Sequence, residues 1–385
     1  MQKIIFLLLP LFCFCTRQKD PNIAVIDVLT APKEKISNLS DIADDIDYIP
    51  LETTEGSLIG RIMTFKVRGN YFYIATMEDI LCFNKSGKFV FKFNKKGRGP
   101  GEYIYVSDFD VSREDDILAV NNGSKIFLYS RTGNGHSFSD EITLPFSPSN
   151  INFVGPGNNI LVQYANADGS KPISMELINL KGEMLVSWPN YMGFKSKDGI
   201  VVVTTGENIS FFKDGEIYRK ELQNDTLFRL TGENRLDPFL VFNTGDKRLT
   251  PEARSDGNYY SEHSNEYFIV NKIFCSNTFL YYSFNYKNRR SYRIIYNLET
   301  KKSYEIPQKE GLNDDVAGGI SFDPQYGDEG DFYMWVDPIT LKSYVSSDTF
   351  INSKVNNPQK KAELKKLTDS ISEFDNPVLV IANIR

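Results

Sequence analysis

The sequence predicts an all-β chain folded as a six-bladed β-propeller, its blades mostly four-stranded and antiparallel. Three observations carry this prediction. An apolar strand, a glycine-bearing turn and a second strand recur as ILCFNKSGKFVFKF at 80–93, IFLYSRTGNGHSF at 126–138, MELINLKGEMLVSW at 175–188 and TLFRLTGENRLDPFLVF at 226–242, and RIIYNLETKKSYEI at 293–306 repeats the pattern around an NLET turn. With Gly87, Gly133, Gly182, Gly232 and Thr300 as markers the intervals are 46, 49, 50 and 68 residues, against roughly 40–50 for a propeller blade. Short alternating apolar runs split by Gly, Asn, Asp and Lys fill the chain, with hardly a segment of helical period before residue 357. The last unit is one strand short, and DYIPLE at 47–52 is the natural donor, because closing the ring with the other terminus removes an open sheet edge.

The elements follow in order. Residues 1–15 read as a signal peptide: Lys3 precedes an apolar run from Ile4 to Cys15, and a polar stretch begins at Thr16. At about twelve residues the run is too short for a bilayer core of roughly 30 Å. Residues 16–46 form a tether with room for a first strand, IAVIDV at 23–28, expected to pair beyond DYIPLE, and 47–385 form the propeller. Two strands precede each marked hairpin: RIMTFKV and YFYIAT, then FDVS and DILAVN, then INFVG and NILVQYA. The fourth unit offers NYMGFKS and GIVVVTT, with ENISFF and GEIYRKEL adding length. The fifth has FIVNKIFCS and FLYYSFNY after an insertion at about 243–265, and the sixth has GGISFDP, DFYMWVDP and PVLVIANI. One surface helix is expected at 357–377, where Leu364, Leu367 and Ile371 recur at helical spacing after a proline.

Composition narrows function. A formal charge of −6 and a pI near 5.3 argue against a protein that grips a polyanion, so no nucleic-acid partner is expected. Aromatics make up 13% of the chain, which suits packed sheets and equally a binding face. Cys82 and Cys275 sit in apolar strand runs and read as small buried hydrophobes.

YIPLET at 48–53, IGRI at 59–62, FNKSGKFVFKFNKKGRGPGEY at 83–103, NDTLFRL at 224–230 and DNPVLVIANI at 375–384 carry a likeness. Through them the chain resembles the exported six-bladed, NHL-like propeller lipoproteins of Bacteroides-like bacteria. That resemblance implies a component of a surface or periplasmic envelope system, in a family often encoded beside glycan-uptake genes, and it implies no enzyme class. The N-terminus also resembles a lipoprotein signal, with Cys15 the residue to be lipidated and Phe14 where such signals usually carry a small residue. The membrane is thus an expected partner through a lipid anchor, the expected location being the cell envelope, periplasmic or surface-exposed, as an outer-membrane lipoprotein.

The stretch NKKGRGPGEY at 94–103 concentrates glycine and positive charge. It is no phosphate loop, since Glu102 and Tyr103 follow the last glycine where a lysine and a hydroxyl would be needed. It reads as a blade junction shaped by Gly97, Gly99, Pro100, Gly101 and Glu102, with Lys95, Lys96 and Arg98 able to form a positive lip for an anionic ligand. His136 is expected in a solvated turn; Glu262, His263 and Glu266 lack the HExxH spacing of zinc proteases. No cofactor is expected and no metal, although Asp323, Asp328, Glu329 and Asp331 could offer oxygen ligands without matching a calcium loop. Aromatics able to hold a sugar are Trp188, Trp335, Tyr259, Tyr260 and Tyr326, with Tyr281 and Tyr282 beside them in sequence type. The function expected is non-catalytic recognition of a glycan or an envelope protein. The alternatives are a saccharide hydrolase or lyase using channel carboxylates and a structural scaffold, and enzyme activity is the lesser expectation.

Overall fold

A computed structural model describes residues 23–30, 33–133, 135–232, 234–287, 289–307 and 311–385. The signal-like stretch and Cys15 lie outside the described residues. Three N-terminal strands come first: β1 (Ala24–Asp27), β2 (Lys33–Lys35) and β3 (Ala43–Pro50). Blade 1 is β4 (Thr64–Arg68), β5 (Tyr71–Ala75), β6 (Ile80–Asn84) and β7 (Phe89–Phe93). Blade 2 is β8 (Asp108–Val111), β9 (Ile117–Asn122), β10 (Lys125–Thr132) and β11 (Gly135–Thr143). Blade 3 is β12 (Asn150–Val154), β13 (Asn159–Gln163), β14 (Ile173–Ile178) and β15 (Met184–Pro189). Blade 4 is β16 (Asn208–Lys213), β17 (Glu216–Glu221), β18 (Thr226–Leu230) and β19 (Leu236–Asn243). Blade 5 is β20 (Ile269–Cys275), β21 (Phe279–Tyr286), β22 (Arg289–Asn297) and β23 (Ser303–Glu305). Blade 6 is β24 (Tyr326–Asp328), β25 (Asp331–Val336) and β26 (Val378–Ile384), completed by β3.

The first strand of each blade lies innermost. The ring therefore has two rims. Innermost strands turn back at a hairpin rim and are entered from a loop rim, where outermost strands hand over to the next blade. The core lies between neighbouring blades: Phe65 of β4, for example, meets Tyr326 at 5.1 Å, Tyr333 at 5.5 Å and Trp335 at 5.9 Å, tying blade 1 to blade 6.

DYIPLE closes the ring as expected, with Pro50 opposite Val378 and Ala43 opposite Ile384. IAVIDV does not pair beyond it. β1 instead runs parallel to β19 on the outer edge of blade 4, and β2 runs parallel to β23 on blade 5. The N-terminal segment thus laces the outer edges of three successive blades, burying Ile26 and Val28 and covering edges that would otherwise be open.

Three expected strands are absent. GGISFDP at 318–324 is loop apart from an isolated bridge: the Asp314 carboxylate takes the Gly319 N–H at 2.8 Å, and Phe322 exchanges its backbone hydrogen bonds with Leu312 and not with a blade strand; the innermost strand of blade 6 is β24, a few residues later. NYMGFKS and GIVVVTT are irregular, and ENISFF and GEIYRKEL supply β16 and β17. Helices exceed the one expected. Before α5 (Pro358–Ser370) come α1 (Pro251–Arg254), α2 (Gly257–His263), α3 (Pro338–Val345) and α4 (Asp348–Asn352). They are too short to show a period, and their signals are caps and N1 prolines: Thr250 accepts from the Ala253 N–H before Pro251, Ser347 accepts from the Phe350 N–H at α4, and Pro338 opens α3. α5 buries Leu364, as its spacing predicts. No helix among the described residues is long and apolar enough to cross a membrane.

Candidate binding site on the propeller axis

The axis is plugged by charges that alternate along two innermost strands. Lys66 and Arg68 stand two apart on β4, Asp108 and Asp110 two apart on β8, so each pair shares one face of its strand. Asp108 and Asp110 each accept a blade 3 N–H at 2.8 Å, from Ile151 and Phe153 respectively, capping the inner edge of β12. Lys66 Nζ donates to the Ile151 carbonyl at 3.1 Å and lies 3.6 Å from Asp108 and 3.8 Å from Asp110. The Arg68 guanidinium reaches Asp110 at 2.8 Å and Asp328 of β24 at 3.2 Å, with its face on the Phe212 ring at 4.5 Å. Burial pushes the Asp328 carboxyl up to about 7, the Arg68 charge only partly opposing it. Burial raises Asp108 as well, against the pull of Lys66. At Arg68 burial works against the charge, but Asp110 and Asp328 outweigh it and hold the guanidinium protonated beyond its ordinary value.

Arg68 and Phe212 line a cavity on each side and so form the partition between them. Towards the loop rim lies a cavity of about 170 Å³ whose wall is hydroxyl, amide and aromatic. Towards the hairpin rim a funnel of about 510 Å³ opens among Lys85, Arg113, Glu329 and Asp331. Glu329 accepts the Gly215 N–H at 3.2 Å, and Gly215 has φ 71° with the Arg113 guanidinium so near that a Cβ there would meet it at 2.4 Å.

The residues singled out by sequence fall in several places. Tyr326 lines the loop-rim cavity. Trp335 packs between blades 6 and 1, and Trp188 on β15 packs half-buried at the outer strand of blade 3. Tyr260, on α2 of the 244–268 insertion, is buried against Leu222, Leu249 and Ile269, while Tyr259 is exposed and stacked on His263 at 4.2 Å. Tyr281 and Tyr282 are core. Lys95, Lys96 and Arg98 stand on the loop leaving the outermost strand of blade 1, at the loop rim and outside both axial cavities: Lys96 pairs with Glu78 and Arg98 is exposed. In the same loop Glu102 accepts the Gly99 N–H at 2.8 Å, Tyr129 of blade 2 donates to the Gly101 carbonyl at 3.0 Å, and Gly101, at φ 70°, lies against the Phe138 ring. The four carboxylates at 323–331 disperse: Asp323 pairs with Arg293 at 2.8 Å, Asp328 enters the plug, Glu329 holds Gly215, and Asp331 accepts from Asn383 at 3.3 Å. Among the described residues no three His, Cys, Asp or Glu side chains are grouped to hold a metal. His136 corrects the expected solvated turn, being buried on β11 with its ring 5.4 Å from Phe91. Lys66, Arg68, Asp108, Asp110 and Phe212 were missed; the signal was charge at period two inside strands otherwise apolar, TFKVR and DFDV.

Fold and site together define a six-bladed propeller with a charge-plugged axis and a blind cavity on either side. The chain belongs to the family described as a domain of unknown function, DUF4934, which matches residues 23–383, in agreement with the resemblance to propellers of Bacteroides-like bacteria. A protein of Bacteroides fragilis NCTC 9343 described as exported has a crystal structure with a TM-score of 0.70 over 94% of this chain and 100% of that one, at 20% identity. A DUF4221 family member from Bacteroides vulgatus ATCC 8482 matches at a TM-score of 0.50, 12% identity, and 92% and 99% coverage. Both show likeness of fold alone. No protein of curated function matches the sequence.

Proposed function

We propose that the protein is an exported recognition module of the cell envelope that holds a glycan at the loop-rim mouth of its axis without turning it over. The observation that carries this reading is the plug. It makes each axial cavity blind, and it leaves Asp108, Asp110 and Asp328 engaged with cations or backbone N–H groups instead of flanking an open bond-cleaving space. Arg98, exposed on the same rim, is an outer contact for the ligand. Export is supported by the signal-like N-terminus and by the described export of the B. fragilis protein, and anchoring rests on Cys15.

An array of plant, host and bacterial glycans, read once for retained ligand and once for released products, tests the reading. Retention without products is expected; products that disappear in an Asp108→Asn variant would establish a hydrolase or lyase. Docking of a partner protein is the second reading, favoured by the apolar side chains that Tyr191, Val203 and Phe374 expose on the loop rim. For the anchor, a Cys15→Ser variant is expected to leave the membrane fraction, and one that still sediments with membranes would sink the lipid assignment.

A further inference from the structure

Five polar groups without a hydrogen-bond partner among the described residues converge on the loop-rim cavity. They are the hydroxyls of Thr64, Ser107 and Tyr326, the Asn150 amide, and the Asn152 amide nitrogen, whose oxygen is already taken by Gln163 at 3.3 Å. They come from blades 1, 2, 3 and 6, so the tertiary fold alone assembles them. Concave polar groups left unpaired by the chain are satisfied by water or a ligand. The charges at the same place are different, because Lys66 lies between Asp108 and Asp110 and Arg68 between Asp110 and Asp328. The cavity therefore offers dipoles to a ligand and no spare cation. Aromatic rings of Phe211, Phe212 and Tyr326 supply an apolar wall. Its ≈170 Å³ falls below the roughly 300–1,000 Å³ of sites for larger ligands.

Resting on the recognition reading above, we infer that this cavity is a subsite for a single uncharged sugar ring, the terminal residue of the glycan. Hydroxyls of such a ring both donate and accept, which suits a wall of three hydroxyls and two amides, and its C–H face suits the aromatic wall. An acidic sugar would bring a charge for which the wall holds no unmatched cation.

Binding of free neutral hexoses, hexosamines and uronic acids to the full mature chain, measured by ligand-observed NMR and titration calorimetry, tests the inference. Asn150→Leu and Ser107→Val each remove one unpartnered group at positions that are not fully buried, and Arg113→Ala alters the opposite funnel. The expected result is a neutral sugar bound by the wild type, weakened about tenfold or more in both cavity variants and unchanged in Arg113→Ala. Preference for a uronic acid would overturn it. Glycan retention on the array that survives both cavity variants would also overturn it while leaving the recognition reading intact, whereas a wild type that retains no glycan at all would overturn both.

Discussion

The two rims of the ring are built by different rules. At the hairpin rim the turns after β4, β8, β12, β16 and β24 place Gly69, Asp115, Asn158, Asp214 and Glu329 at positive φ. These are the residue types, apart from Glu329, that tolerate left-handed backbone most readily. None of the turns between first and second strands carries an exposed large apolar side chain among the described residues. The loop rim holds the irregular 190–206 segment, the 244–268 insertion with α1 and α2, and α3 to α5. There Tyr191, Phe374 and Val203 are 85%, 83% and 75% exposed. A short turn is decided by a few local residues and hides little surface, whereas a long connection takes its shape from what it lies on and can present apolar groups to a partner. Short, locally determined turns are concentrated at one rim and long connections with exposed apolar side chains at the other, with the plug between them.

The largest expected effect tests the plug against the hairpin rim. Arg68→Leu leaves Asp328 buried without its cation and Asp110 with Lys66 alone at 3.8 Å, and a loss of about 3–5 kcal/mol is expected from urea unfolding; the exposed Arg113→Leu is expected to stay within about 0.5 kcal/mol. Equal losses would remove the distinction between plug and rim. Next, Gly87 at the hairpin rim and Gly123 at the loop rim both have positive φ, 78° and 64°. A Cβ on Gly87 would lie 2.2 Å from the Pro50 carbonyl oxygen of the closing strand, while one on Gly123 meets nothing within 4 Å. Gly123→Ala should cost about 1–2 kcal/mol from backbone strain alone, and Gly87→Ala distinctly more, since it also displaces β3; thermal midpoints of the two variants decide.

The pH effect is spread over several pH units and is small at each step. Asp328 binds its proton more tightly in the folded chain, at about 7 against an ordinary 3.8. Its contribution to stability is therefore full below about pH 4, where both states are protonated, and is lost as pH rises to about 7. The slope is at most about 1.4 kcal/mol per pH unit. Asp328→Asn should flatten the stability profile between pH 4 and 7, and an unchanged profile would count against the burial of this carboxyl. The smallest effect belongs to the loop rim: Val203→Ser is expected to leave stability within about 0.5 kcal/mol, while reducing capture of an envelope partner in a pull-down if that rim docks one.

Legibility follows the same division. Gly87, Gly133 and Gly182, whose spacing disclosed the repeat, all sit at positive φ in hairpin-rim turns between third and fourth strands. Those turns need glycine for a local reason, and a local reason leaves a periodic mark in sequence. Thr300 lies at the equivalent turn of blade 5, and the 68-residue interval before it contains the helical insertion. The aromatic candidates fared differently. Trp335 and Tyr260 satisfy core contacts, and only geometry separates them from Tyr326, which stands on the innermost strand of blade 6 and so reaches the cavity wall.

By itself the sequence determined the blade count, the strand alternation and the closure by DYIPLE, because hydrophobic period, turn chemistry and the missing sixth-blade strand act over a few residues or by simple count. Tertiary structure alone decided that IAVIDV laces blade 4, since several open edges competed for one apolar strand. It alone decided that GIVVVTT stays out of the sheet, because β16 to β19 form blade 4 and β1 takes its outer edge, and propensity yields to the partners available. The axial site was decided the same way: Thr64, Ser107, Asn150 and Tyr326 are distant in sequence, and they meet because closing a ring brings the inner strands of all blades to one axis.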